Sequence, residues 1–205
     1  MKNAADVILN LLIFLVTAVL ILGFARKDGK YVPERWKTAF RFFTCQSNAF
    51  CAAASLLTAA AALSGELPEW VRMLKYAGTA AVTVTMLTVF LFLAPSVGKD
   101  WMKVLLTGSV SDLFMHLLTP LAALFSFCFC APEKRGMSFA QALIGILPVL
   151  LYGILYLYRI LYALPEKRWE DFYGFNRKGK WQISFAAMAA GTFLVCMALM
   201  ALQNA

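Results

Sequence analysis

Residues 7–25 read VILNLLIFLVTAVLILGFA, a run with one asparagine, one threonine and no charge, closed by Arg26, Lys27 and Asp28. A bilayer hydrocarbon core about 30 Å thick takes about 20 apolar residues of α-helix to cross. The run has that length, and charged residues stand where a secretory signal would carry a small-residue cleavage site, so it reads as a retained membrane helix. Five more runs of the same kind follow: Phe40–Leu63, Leu74–Ala94, Val110–Ala131, Phe139–Leu164 and Ile183–Leu202.

The rest of the composition agrees. The chain has 205 residues, 61% of them hydrophobic and 15% charged, which is too apolar for one water-soluble domain. The runs are too long for the strands of a β-barrel, which would alternate in polarity over about 10 residues. No flexible linker, low-complexity tract or internal repeat divides the chain. The expected fold is therefore all-α: a polytopic membrane protein built as a single six-helix transmembrane bundle spanning residues 1–205.

Charge sets the expected orientation. The loops after runs one, three and five carry Arg26, Lys27, Lys30, Arg35, Lys37, Lys99, Lys103, Lys167, Arg168, Arg177, Lys178 and Lys180. The opposite side carries Lys2, Arg72, Lys75, Lys134 and Arg135. Positively charged loops stay in the cytoplasm, which places loops 1, 3 and 5 there and both termini outside. Topology thus accounts for the net charge of +8 without nucleic acid as a partner; the bilayer is the partner expected. Trp36, Trp70, Trp101, Trp169 and Trp181 fall near run ends, where interfacial anchors belong. Short loops and the lack of a eukaryotic targeting signal favour a bacterial inner membrane.

Cys45, Cys51, Cys128, Cys130 and Cys196 lie inside the runs without metal-type spacing, and His116 is the sole histidine, so neither a metal nor another cofactor is expected. Ionisable groups left inside a span are functional candidates by default. Run four carries Asp112 and His116, four apart on one helical face, with Thr119 beyond them. A carboxylate one turn from an imidazole can hold its tautomer and support the imidazolium. Run two opens with a stripe of Thr44, Ser47 and Asn48, continued by Cys51 and Ser55. Run five ends with Tyr152, Tyr156 and Arg159, and run three offers Thr85 and Thr88. At about 1.5 Å per residue, Thr44, His116 and Arg159 would all lie roughly 6 to 9 Å inside the same boundary. The plainer reading is structural, since hydroxyls in membrane helices usually bond a preceding carbonyl and an Asp–His pair can be a satisfied clasp.

Phe43-Thr44-Cys45-Gln46-Ser47-Asn48, His116 with Pro120 four residues later, and Trp169-Glu170-Asp171-Phe172-Tyr173-Gly174-Phe175 together resemble an integral-membrane hydrolase family. It is typified by the androgen-induced protein and the androgen-dependent TFPI-regulating protein, with bacterial six-pass relatives. The resemblance implies Thr44 as nucleophile, His116 as its partner, and fatty acid esters of hydroxy fatty acids as the substrate class. Chemically, a hydroxyl needs a base within hydrogen-bond reach to become a nucleophile, and His116 is the one imidazole present. The expected site therefore has Thr44, His116 and Asp112 as the catalytic group. Asn48 is expected to donate to the oxyanion, with Ser47, Tyr156 and Thr88 nearby and Arg159 holding a lipid carboxylate or phosphate. The same group would serve a membrane acyltransferase working through an acyl-enzyme. A small-ligand transporter and a purely structural membrane protein are the readings from other classes.

Overall fold

The computed structural model describes residues 4–93, 110–130 and 136–205. Among them lie six helices long and apolar enough to cross a membrane, as the sequence predicts. They are α1 (Ala4–Phe24), α3 (Phe43–Ser64), α4 (Glu69–Leu91), α5 (Ser111–Cys130), α6 (Phe139–Tyr162) and α7 (Trp181–Asn204). A short exposed helix not anticipated from hydropathy, α2 (Pro33–Ala39), precedes α3, with Pro33 in its first turn where the missing N–H costs nothing. Between α1 and α2 a hairpin pairs β1 (Arg26–Lys27) with β2 (Lys30–Tyr31). Asp28 and Gly29 turn it with φ of 50° and 76°, the left-handed values that a two-residue hairpin demands of both central positions.

Side-chain bridges fix the up-down alternation of the bundle. Lys75 near the start of α4 reaches Asn10 near the start of α1, and Ser126 near the end of α5 reaches both Asp6 and Asn10. Asn48 near the start of α3 meets Met115 near the start of α5, and Ser47 meets Thr85 near the end of α4. Starts of odd and even spans thus sit at opposite ends. Between these levels the helices touch through small residues, as lipid-solvated bundles require. A Cβ on Gly78 would lie 3.0 Å from the Cys51 Cα, and one on Gly145 would lie 2.8 Å from the Cys196 sulfur and 2.9 Å from the Tyr76 ring. These glycines set the closeness of the α3–α4 and α4–α6 crossings. All five cysteines are buried thiols.

Two prolines explain local departures from α geometry. Pro120 cannot donate to the carbonyl of His116, and the helix widens to π-type turns over Phe114–Leu118, where the Thr119 N–H reaches back five residues to Phe114. Pro148 likewise cannot donate to Ile144, and a 3₁₀ turn, Ile144–Ile146, precedes it.

The principal correction concerns α4. It begins at Glu69, not Leu74, so Arg72 and Lys75 are helical and buried instead of lying in an outer loop. Glu69 pairs with Arg72 at 2.7 Å. Lys75 Nζ donates to Asn10 Oδ1 at 2.6 Å and to Ser55 Oγ at 2.9 Å. Asp6 Oδ1 accepts from Asn10 Nδ2 and Ser126 Oγ, both at 2.9 Å. A buried carboxylate and a buried ammonium are therefore joined through Asn10 into a network drawn from four helices. Lys2, Lys99, Trp101, Lys103, Lys134 and Arg135 of the topology argument lie outside the described residues.

This network predicts a measurable asymmetry. Lys75→Met leaves Asn10 Oδ1 and Ser55 Oγ without their buried donor and removes the positive charge nearest Asp6, and should cost about 1–3 kcal/mol, whereas Lys75→Met combined with Asp6→Asn should recover part of it. Thermal unfolding in detergent micelles reads both; equal loss in the two variants would refute the coupling.

Candidate functional site

Helix α3 starts three residues later than hydropathy suggests, after a turn formed by Phe40–Phe42. Thr44 is consequently its second residue and lies at the helix end, and His116 lies one residue after Met115 near the start of α5. What joins the two helices is Asn48, fully buried, whose Nδ2 donates to the Thr44 carbonyl at 2.9 Å and the Met115 carbonyl at 3.1 Å. Two carbonyl acceptors fix which end of the amide is nitrogen, since an oxygen there would face like charge.

Both Asn48 N–H groups are thereby used in this structure, where the sequence reading expects Asn48 to donate to an oxyanion. Among the described residues its buried Oδ1 has no partner, and neither has the buried Nδ1 of His116. The other imidazole nitrogen, Nε2, lies 3.9 Å from Oδ1 of Asp112, a carboxylate 56% exposed. Asp112 and His116 do share a face, but at ion-pair rather than hydrogen-bond distance, because the wide turn begins between them. No hydrogen bond links His116 to Thr44.

Thr44 instead has loop 5 beside it. Tyr173 reaches back to the first turn of α3, where its Oη accepts the Phe43 N–H at 3.0 Å. Among the described residues, the next two amides of α3, those of Thr44 and Cys45, have no acceptor, as expected of first-turn donors without a side-chain cap. Tyr152 donates to the Arg41 carbonyl at 2.7 Å and stacks against Phe43 at 5.0 Å.

The remaining predicted residues fall outside this constellation or hold it from behind. Ser47 Oγ sits 2.9 Å from Thr85 Oγ1 and donates to the Thr44 carbonyl at 3.2 Å. Thr88 bonds the Val84 carbonyl one turn back, the plain structural role. Arg159 turns to loop 5, its guanidinium 5.4 Å from the Trp169 ring centre and Nη1 3.4 Å from the Lys167 carbonyl. Tyr156 is fully buried and donates to Asp171 Oδ1 at 2.9 Å. Sequence reading missed Tyr173 as a site neighbour, although its aromatic stretch was noted, because nothing local says where a loop folds.

Behind this turn, a cleft of about 270 Å³ runs between α3 and α6, walled by Phe43, Phe50, Leu151 and Leu155 with Gln46 and Ser47 at its polar side. The chain matches no family model, no curated protein and no solved structure.

Burial holds the Tyr173 phenol above the ordinary tyrosine range, the neighbouring hydrogen bonds offsetting part of the shift. A group that binds its proton more tightly when folded contributes stability that is complete below its unfolded value, about pH 10, and lost as the pH rises further. Unfolding measured from pH 8 to 11.5 should therefore show an alkaline decline that is shallower in Tyr173→Phe. An identical decline in the two proteins would contradict the assignment.

Proposed function

We propose that this chain is an intramembrane lipid ester hydrolase in which Thr44 is the nucleophile and His116 its base. The observation that carries the reading is the Asn48 bridge. It pins the turn of Thr44 to the turn of His116 and leaves two buried polar atoms, Asn48 Oδ1 and His116 Nδ1, without partners. Such atoms are costly inside a membrane and collect where chemistry needs them. The resemblance in the Thr44, His116 and loop 5 motifs points the same way.

His116 Nδ1 takes the Thr44 proton as Oγ1 attacks the ester carbonyl, while Nε2 faces the Asp112 carboxylate, which supports the imidazolium. This reverses the more familiar use of the two ring nitrogens. The gap between Thr44 and His116 closes in the reactive complex, as catalytic hydrogen bonds commonly do. The oxyanion falls to the unpaired amides of Thr44 and Cys45, a role Asn48 does not have the protons to fill. Collapse expels the alcohol, which receives the proton held by His116. Water, deprotonated by His116, then attacks the acyl-threonine carbonyl, and the fatty acid leaves as His116 returns the proton to Thr44 Oγ1.

The α3–α6 cleft lets an acyl chain stay in lipid while the ester reaches the helix end, where water enters. Fatty acid esters of hydroxy fatty acids have this shape. Arg159 contacts Trp169 and the Lys167 carbonyl, and its Nε, buried without a partner among the described residues, supports a role in holding a carboxylate on such a substrate. The excess of positive charge in loops 1 and 5 supports a cytoplasmic placement of the site, with both ends of the chain outside. A bacterial inner membrane suits the short loops.

Treatment of the purified protein with a fluorophosphonate probe should yield an adduct located on Thr44 by peptide mass spectrometry. Thr44→Ala should abolish it, and His116→Ala should slow it by at least about 100-fold. Undiminished labelling in Thr44→Ala would reject the nucleophile.

A further inference from the structure

We propose that Gln46 makes the α3–α6 cleft selective for a lipid chain bearing a hydroxyl group near its head, so that the acyl group the cleft takes is a hydroxyacyl group. The inference rests on the hydrolase reading only for placing a lipid chain in the cleft, and it names the class of chain.

Apolar contact alone does not select a chain here. Bilayer tails are as apolar as the walls formed by Phe50, Leu151 and Leu155, so a plain chain gains little by leaving the lipid for the cleft. One chain is told from another by a polar group that meets a partner in the wall, as the few placed polar groups of a ligand site do. Three side chains lining the cleft carry such groups: Gln46, Ser47 and Tyr152.

Of the three, Gln46 has hydrogen-bonding capacity left. Tyr152 donates its one proton to the Arg41 carbonyl at 2.7 Å. Thr85 donates to the Ala81 carbonyl at 3.1 Å, so the proton of Ser47 serves Thr85 Oγ1 at 2.9 Å and the Thr44 carbonyl at 3.2 Å. Gln46 brings two N–H donors and a carbonyl oxygen. Its Nε2 donates to the Phe40 carbonyl at 2.7 Å, which fixes which end of the amide is nitrogen and turns the side chain back toward the start of α3. Among the described residues that is the one hydrogen bond the side chain makes. A second N–H and Oε1 are left on a half-buried residue, in a cleft otherwise walled largely by hydrocarbon.

The complement of a free N–H and a free carbonyl oxygen is a group that both accepts and donates. A hydroxyl does both, whereas an ester or ether oxygen only accepts. Gln46 is the fourth residue of α3, about 5 Å inside the helix end, and its side chain reaches back toward that end. The matching hydroxyl therefore belongs near the head of the chain.

The test places the protein in lipid nanodiscs with two photoaffinity probes: a long-chain alcohol carrying a diazirine, and the methyl ether of the same alcohol. Neither can be cleaved by an esterase. In wild type, labelling of the peptides that form the cleft should favour the alcohol by about threefold to tenfold, the effect of one neutral hydrogen bond. In Gln46→Met, which keeps the length of the side chain, the two probes should label equally. A variant that merely loosens the Phe40 turn would lower both probes together and keep their ratio. Equal labelling in wild type, no cleft labelling by either probe, or an alcohol preference unchanged in Gln46→Met overturns the proposal. Labelling requires no turnover, so a protein that shows the preference and never acylates Thr44 supports the hydroxyl site and rejects the hydrolase reading.

Discussion

Inside hydrocarbon no water is present to satisfy a polar group, so each must find its partner within the protein, and this constraint organises the whole bundle. The side chains comply at two levels. Near one end Asp6, Asn10, Ser55, Lys75 and Ser126 satisfy one another across four helices. Near the other, Asn48, Ser47 and Thr85 bind α3 to α5 and α4. Between them the contacts are made by small residues, with Gly78 against Cys51 and Gly145 against Tyr76.

Departures from the constraint carry the most information. Thr17 and Thr79 have unpartnered hydroxyls, but a threonine in a helix needs only a rotation to reach a preceding carbonyl. Asn48 Oδ1 and His116 Nδ1 have no such local remedy, and both sit at the junction of α3 and α5. The two levels therefore differ in kind: the Asp6–Lys75 network ties α1 to the bundle, and the junction keeps polar atoms without partners among the described residues. Loop 5 adds to the junction from outside the spans, with Tyr173 at the first turn of α3.

Hydropathy made the six spans legible because length and apolarity are properties of the local chain. It misplaced the start of α4 for the same reason: averaging treats Arg72 and Lys75 as loop charges, whereas Glu69, Asn10 and Ser55, most of them distant in sequence, make those charges tolerable. The Thr44, Ser47 and Asn48 stripe of one helix and the shared face of Asp112 and His116 on another were visible from helical periodicity. That Asn48 spends both protons on carbonyls, and that Arg159 folds onto Trp169, depended on tertiary neighbours that no local pattern encodes. Pro120 signalled a break; the direction in which the wide turn would swing His116 from Asp112 required the three-dimensional path.

On the proposed reading, an acyl chain lies in the α3–α6 cleft and the ester at the end of α3, with the base on α5. Its central claim is that the acyl group passes through Thr44. The direct measurement is rapid acid quench of the protein mixed with an isotopically labelled fatty acid ester of a hydroxy fatty acid, followed by peptide mass spectrometry. The account predicts an acyl mass on Thr44 that rises within the first turnover and decays as free fatty acid accumulates. Fatty acid released with no acyl group ever on Thr44 would contradict it.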